Sequence, residues 1–334
     1  MNLELSNNIK AKAKSLGFFT CGIAEAKPVD DVTAQRVKSW IDKKMYADMN
    51  YMSNNLEKRL DPRLLVPGVK SIVSVALNYA PAQYIPESEW QFAAYAYGQD
   101  YHEVVKNKLR ALALSFGFEE IKMSAFPSVS TDHVHFRVFC DTAPVLERYW
   151  ATQAGLGFIG KNQQLIIPKA GSMFFLGELF LDITLEYDMP MQRFCGRCTA
   201  CIDACPSGAL SKDNSLDANK CLSYQTIENR GEITDEVAEQ MGNTVYGCDK
   251  CLQACPWNRF SHPTNVEEFA PKPEFLSMTK KQWLNLSEED YHRIFKGSAV
   301  KRAKYCGLMR NIMAIAKNET KKIVSESNKG RNRS

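Results

Sequence analysis

Eight cysteines between Cys195 and Cys255 constrain this chain more than any other feature. They fall in two runs, CGRCTACIDACP (195–206) and CDKCLQACP (248–256), with Cys221 alone between them. The first run reads C-x2-C-x2-C-x3-C-P, the spacing with which bacterial ferredoxins hold iron–sulfur cubanes. The second lacks the leading cysteine: Val245 stands in that position, and Cys221 is the available substitute. In two-cluster folds the fourth cysteine of such a run ligates the other cluster. The spacing therefore assigns Cys195, Cys198, Cys201 and Cys255 to one 4Fe–4S cluster. Cys205, Cys221, Cys248 and Cys251 go to the second. Paired C-x2-C also suits zinc, but a zinc site needs neither the full four-cysteine run nor the Cys-Pro that ends both runs here.

A chain of 334 residues has room for two or three domains, and 45% hydrophobic residues can fill a proper core. It contains no apolar run of about 18 residues, so no transmembrane helix is predicted. The start, MNLELSNNIKAKAKSLG, is polar and amphipathic, without the apolar region of a signal peptide. Of eleven cysteines, only Cys21, Cys140 and Cys306 lie outside the two quartets. A reducing cytoplasm is the expected compartment. Net charge is +4, but residues 296–334 carry eleven Lys or Arg against two acidic residues. Such a stretch is either a solvated helix with a frayed tail or a phosphate-binding surface, and charge alone does not choose.

The pattern predicts an amphipathic helix over 3–15, a strand over 18–26 and a helix over 33–44 with Thr33 as its cap. SIVSVALNY (71–79) is a β-branched run typical of a buried strand. A tyrosine-rich loop, AYAYGQDYH (94–102), precedes a helix whose Val105, Leu109, Leu112 and Phe116 share one face. Strands follow near 120–125 and over 135–140, then a helix after DTAP (141–144). A glycine loop and two strands around a Lys169–Ser172 turn complete a segment of alternating strands and helices, which argues for an α/β domain. After Pro273 the pattern is helical to about Lys317.

Two short motifs invite over-reading. Gly155, Gly157 and Gly160 in GLGFIGKN satisfy G-x-G-x-x-G, but helix precedes and strand follows, the reverse of a dinucleotide-binding turn. DYH (100–102) starts like the D-x-H-x-x-G motif that ligates cobalt in many cobalamin proteins. The sixth position is Val105, however, so a histidine-ligated corrinoid is not supported.

Taken together, RLDPRLLVPGVKSIV (59–73), YAYGQDYH (95–102), CDTAPVLER (140–148), AGLGFIGKN (154–162), the two cysteine runs and FKGSAVKRAKYCGLMRN (295–311) resemble the epoxyqueuosine reductase family. These are cobalamin-dependent iron–sulfur enzymes of tRNA modification. The resemblance spans about residues 1–315. It implies an α+β multidomain protein: an N-terminal α/β cobalamin-binding catalytic domain (1–185), a ferredoxin-like domain with two 4Fe–4S clusters (186–262), and a short C-terminal helical, HEAT-like element with a basic tail (263–334).

The implied reaction is reduction of epoxyqueuosine to queuosine at the wobble position of tRNA, with an external low-potential electron donor. No membrane association and a monomer are expected. Tyr97, Asp100, Tyr101, His102, Gly160, Lys161 and Asn162 are the candidate contacts to a base-off cobalamin without a histidine on cobalt. Lys301, Arg302, Lys304 and Arg310 are candidate phosphate contacts. Asp141 is the family-matched general acid, which requires its carboxyl group to be raised by burial beneath the corrin. Against this, Asp and Thr ahead of a helix with an early Pro are ordinary caps, although Thr142 could cap without Asp141. A reductive dehalogenase-like corrinoid enzyme shares the cofactor set, and a non-catalytic two-cluster electron carrier would need only the cysteine-rich region.

Overall fold

The computed structural model describes residues 2–122, 125–126 and 133–331, with side chains as far as Val324. Among the described residues the strands are β1 (Thr20–Glu25), β2 (Ser71–Asn78), β3 (Gln91–Phe92), β4 (Glu119–Glu120), β5 (His135–Phe139), β6 (Phe158–Ile159), β7 (Leu165–Ile166), β8 (Phe174–Leu181) and β9 (Thr244–Tyr246). The strand expected near 120–125 meets β4 only at Glu120; positions 123 and 124 lie outside the described residues, as do the side chains of Lys329, Arg331 and Arg333.

The central sheet runs β1-β2-β8-β5-β4. Its β1–β2, β2–β8 and β5–β8 pairs are antiparallel, and only β4–β5 is parallel. Alternation of strands and helices suggested an α/β domain, but alternation does not fix strand direction. The antiparallel ladder makes this an α+β domain. Side chains alternate across the sheet with period two. On one face Ile23, Val73, Val75 and Leu179 pack with Leu109 of the Tyr101–Leu114 helix and Ile9 of the Leu3–Ser15 helix. On the other, Ile72, Ala76, Phe139 and Phe180 pack with Trp150 of the Glu147–Gln153 helix. Both faces are covered, which is why SIVSVAL is buried at every position. Each such aliphatic or aromatic side chain contributes roughly 1.5–3 kcal/mol by burial. The Glu147–Gln153 helix lies so close to β1 that a Cβ at Gly22 would fall 2.0 Å from the Ala154 carbonyl oxygen.

Asp30, not Thr33, caps the second helix, Asp31–Asp42: its Oδ1 accepts the Thr33 N–H at 2.9 Å, and the Thr33 hydroxyl donates back to Oδ2. Each cysteine run carries a short helix, Ala200–Asp203 and Lys250–Gln253, and the two pack against each other. The C-terminal helices share one apolar core with Trp90, Phe92, Tyr97, Leu222 and Tyr246 through Trp283, Phe295 and Leu308. β3 also pairs with β9, just before the second cysteine run. No helix among the described residues is long and apolar enough to cross a membrane.

Candidate active site and cluster ligands

The eight cysteines form two neighbourhoods. Burial raises the Cys201 thiol, and nearby Cys255, Cys195 and Cys198 raise it further. Cys255 is raised by burial and then by Cys195 and Cys198. In the second group, burial pushes Cys248 up to about 11, with Cys221 and Cys205 adding to it. Burial also raises Cys251, followed by the charges of Cys248, Cys221 and Cys205. Cys221 thus has Cys205, Cys248 and Cys251 as its electrostatic neighbours, the grouping that the spacing leads one to expect. Four thiols apiece match the ligand number of a cubane.

The GFIGKN segment is a hairpin turn between β6 and β7 rather than a loop. Lys161 Nζ donates to the carbonyls of Gly196 and Cys198, both at 2.9 Å. Buried Asn162 reaches the Cys251 carbonyl at 3.5 Å with Nδ2, while its Oδ1 accepts the Gln164 N–H. This turn therefore ties one cysteine run to the other. Gly160 permits it: a Cβ there would lie 2.5 Å from Ile166 Cδ1.

Asp100 caps the Tyr101–Leu114 helix, accepting the His102 N–H at 3.1 Å, and its Oδ1 also meets His102 Nδ1 at 2.6 Å. The cap turns Tyr101 and His102 toward the end of β5, where Asp141 sits with φ 55°. The Tyr101 hydroxyl donates to Asp141 Oδ2, and His102 Nε2 is 3.7 Å from the same oxygen. Desolvation lowers the His102 pKa, but hydrogen bonds to Asp100 and Asp141 outweigh it and raise the imidazole to about 9. Desolvation likewise opposes the Asp141 carboxylate, yet His102 and Tyr101 hold that group below the usual range. The expected upward shift is thus absent from the open site, where the Asp141 side chain is 61% exposed.

The cap reading of Asp141 and Thr142 does not survive. The helix begins at Glu147, and Leu146 at its N-cap makes no side-chain cap bond. The Tyr101 ring stacks on Phe175 at 4.2 Å, and Phe175 meets Tyr79 at 4.5 Å. Tyr79 lies within the field of Asp249, Cys251 and Arg148. Tyr79 and Phe175 belong to one apolar cluster, against which Tyr101 and Cys251 pack. Tyr97 points elsewhere: it is buried against Phe275 and lines a cavity of about 300 Å³ with Tyr84, Ala93, Asp249 and Lys250.

Two acids beside Asp141 were not singled out from sequence. Glu147 Oε1 accepts the Asp141 N–H. Burial, then the Asp141 charge, pushes the Glu147 carboxyl up to about 8. Glu178 of β8 is fully buried, and neither of its oxygens has a hydrogen-bond partner among the described residues. A Glu inside the apolar run FFLGELFL was the available signal.

The basic C-terminal segment is largely engaged. Arg302 is bidentate to Glu228 at 2.7 and 2.8 Å. Arg310 donates to the carbonyls of Asn229, Gly231 and Gln225. Lys317 and Lys321 face Asp235, and Lys322 faces Glu239. Both arginines are therefore engaged within the chain. Lys301 and Lys304 are exposed.

The double 4Fe–4S cluster binding domain matches residues 194–258, so the cysteine-rich region is a two-cluster ferredoxin-like domain. The family described as epoxyqueuosine reductase QueG, DUF1730, matches residues 59–142. An epoxyqueuosine reductase from Cellulophaga algicola is 44% identical over 92% of this chain and 96% of its own length. The Escherichia coli K12 epoxyqueuosine reductase is 36% identical over 98% of this chain and 86% of its own. A crystal structure of epoxyqueuosine reductase with an epoxyqueuosine-modified tRNA-Tyr stem loop superposes with a TM-score of 0.83 at 30% identity, covering 93% of this chain and 80% of that one. The Streptococcus thermophilus enzyme gives 0.81 at 28% identity, with 95% and 82% covered. Similar from end to end to such relatives, and carrying both the family's segment and its cluster domain, the chain belongs to the epoxyqueuosine reductase family.

Proposed function

We propose that this chain reduces epoxyqueuosine to queuosine in the anticodon of tRNA in the cytoplasm, with Asp141 as the proton donor. One observation carries the assignment of Asp141: its carboxylate stands at the end of β5 free of any capping duty, held by Tyr101 and His102. A Bacillus subtilis epoxyqueuosine reductase has been solved with its aspartate-bearing catalytic loop swung out of the active site, which agrees with a mobile acid in this family. The layout we propose is the one expected from sequence: a catalytic domain over 1–185, the cluster domain over 186–262 and a helical element over 263–334.

The reaction consumes two electrons and two protons, converting the epoxide to an alkene and water. Cobalamin, when bound and reduced, would supply the electron pair, and 4Fe–4S clusters held by the two cysteine quartets would supply low-potential electrons, within roughly −700 to +450 mV. The residues present fit a base-off corrinoid. His102 would be a poor cobalt ligand, because Asp100 and Asp141 raise its imidazole pKa to about 9 and so favour its protonated form. Tyr101 and His102 orient Asp141, and substrate covering the carboxylate would add to the desolvation that already opposes its ionised form. Lys161 and Asn162 support the site by fixing the cluster loops.

Anaerobic turnover of epoxyqueuosine-containing tRNA, followed by nucleoside mass spectrometry, tests the reading: queuosine appears, or the assignment fails. The Co(II) form of the loaded protein is expected to show no axial nitrogen splitting in its EPR spectrum; such splitting would place a nitrogen ligand on cobalt.

For tRNA, exposed Lys301 and Lys304 are the proposed phosphate contacts, giving salt-dependent affinity that is largely independent of sequence. Lys301→Glu with Lys304→Glu is expected to weaken tRNA binding and flatten its dependence on log salt by about two charges' worth, roughly 0.7–0.9 per contact. An unchanged slope returns this surface to ordinary solvation. Arg302 is a poor probe, because its loss also breaks the Glu228 pair.

A further inference from the structure

Glu178 is an anomaly in this fold. Acidic side chains are almost never fully buried unless paired, and an isolated carboxylate in a dry interior is costly enough that the group keeps its proton instead. Glu178 sits on the central strand β8, with both carboxyl oxygens unpartnered among the described residues. Directly across the ladder, β2 presents Ser74, itself fully buried with an unpartnered hydroxyl. A fold that needed only packing here would place a leucine at 178.

The surroundings point one way. Glu178 pairs in register with Phe139, two residues before Asp141. After burial, the charges that raise its carboxyl are those of Glu147 and Asp141. Glu147 opens the helix packed on that face of the sheet, and its Oε1 accepts the Asp141 N–H. The other groups facing this trio are His102 and Tyr101 from the Tyr101–Leu114 helix, Arg148 beside Glu147, and the buried Cys140 thiol, with Lys106 near Cys140. The cations lie on the Asp141 and Glu147 side, and none among the described residues acts on Glu178. His102 and Tyr101 favour the Asp141 carboxylate, while burial raises the two acids behind it, Glu147 to about 8 and Glu178 well above its ordinary value.

We infer that Glu147 and Glu178 form a proton reserve that recharges Asp141 during turnover. This rests on the proposed epoxide reduction, which consumes two protons whereas one carboxyl group carries one. Asp141 starts as a carboxylate; substrate covering it disfavours that charge, so it takes a proton from the reserve, gives it to the leaving oxygen and is a carboxylate again. Glu147 returns a proton to it, and the Glu147–Glu178 pair is refilled from solvent. Each transfer moves one proton and no electrons. Glu147 and Glu178 touch no substrate; they act through Asp141.

The test uses Glu147→Gln and Glu178→Gln in the full chain. In wild type, the alkaline fall of kcat should track loss of the reserve, near pH 8 for Glu147. In Glu147→Gln, kcat should drop roughly 10²-fold, the lower end of a general-acid effect. Its alkaline limb should move to lower pH, with KM for tRNA unchanged. The second readout is infrared spectroscopy of the cofactor-free protein. Wild type should show protonated-carboxyl stretching at neutral pH, with one contribution lost in each variant. Stability gives the same sign: a carboxyl whose folded pKa is raised adds stability below its unfolded value of about 4.3, and this is lost as pH rises through the folded value. Both variants should therefore flatten the decline of stability toward alkaline pH. Glu178→Gln breaks no hydrogen bond of the described fold, so it carries the test even if Glu147→Gln folds poorly. Absence of a protonated-carboxyl signal in wild type, or an alkaline limb unmoved in both variants, overturns the reserve. Failure of wild type to make queuosine overturns the functional reading instead, and the infrared result stands independently of it.

Discussion

Asp141→Asn is expected to lower queuosine formation by about 10²–10⁴-fold, the usual cost of losing a general acid. An epoxide oxygen leaves poorly as an alkoxide, so ring opening gains most from a proton delivered at that atom. Asparagine keeps the size of Asp141 and can still accept from the Tyr101 hydroxyl, but it has no carboxyl proton to give. The backbone at position 141 has φ 55°, a region that asparagine tolerates as well as aspartate. No helix depends on the side chain, because the next helix starts at Glu147 without a side-chain cap. Folding, iron content, cobalamin binding and tRNA affinity should therefore be retained. Near-normal turnover with those properties intact would remove Asp141 from the chemistry.

The substitution has a second signature. His102 is held protonated to about pH 9 by Asp100 and Asp141. Neutralising residue 141 removes one of those partners, so the His102 pKa should fall, measurable by NMR of the imidazole. A purely structural Asp141 outside the His102 field would not produce that shift.

How much of this was legible beforehand depends on how local the determinant is. Cluster binding depends on spacing along a few residues, so a two-cluster domain over the cysteine runs could be read directly. The position of β2 and its burial followed from its apolar run. The direction of its neighbours did not, because β8 joins it from far along the chain and turns the sheet antiparallel. DTAPVLER drew attention to Asp141, but whether Asp141 caps a helix depends on where that helix starts, which tertiary packing decides. Charge along 296–334 was visible; its partners were not. Glu228 and the 225–231 carbonyls that engage Arg302 and Arg310 are distant in sequence. Lys161 and Asn162 were read as corrin contacts from their motif, yet their polar atoms reach the cysteine runs. The polar tips of a glycine-rich turn are set by what lies across it, and that lies 35 to 89 residues away.

The largest effect on cofactor content is expected from Cys221→Ala. Reconstituted wild type should carry about eight irons in two cubanes, each held by four thiolates. A regular second run would open with a cysteine at position 245, but Val245 occupies that place, buried in the strand before the run. Cys221 lies well upstream, so nothing in the local motif requires it. The requirement comes from the fold, which brings the Cys221 thiol among Cys205, Cys248 and Cys251. Removing it should lose or damage only the cluster those residues hold, taking up to about four irons and leaving the spectroscopic signature of the other. Cys255→Ala should damage the opposite cluster, although Cys255 closes the same run as Cys248 and Cys251, because its neighbours are Cys195, Cys198 and Cys201. Cys21→Ala is the control: that thiol lies on β1, burial pushes it up to about 12, and its charged neighbours are Lys10 and Asp188 rather than any cluster cysteine. It should leave iron content unchanged. Iron analysis and EPR of the reduced variants decide the matter. Full iron in Cys221→Ala, or loss of the same cluster in Cys221→Ala and Cys255→Ala, would break the crossed ligation. Under the proposed mechanism, turnover should collapse in both cysteine variants even though Asp141 is untouched.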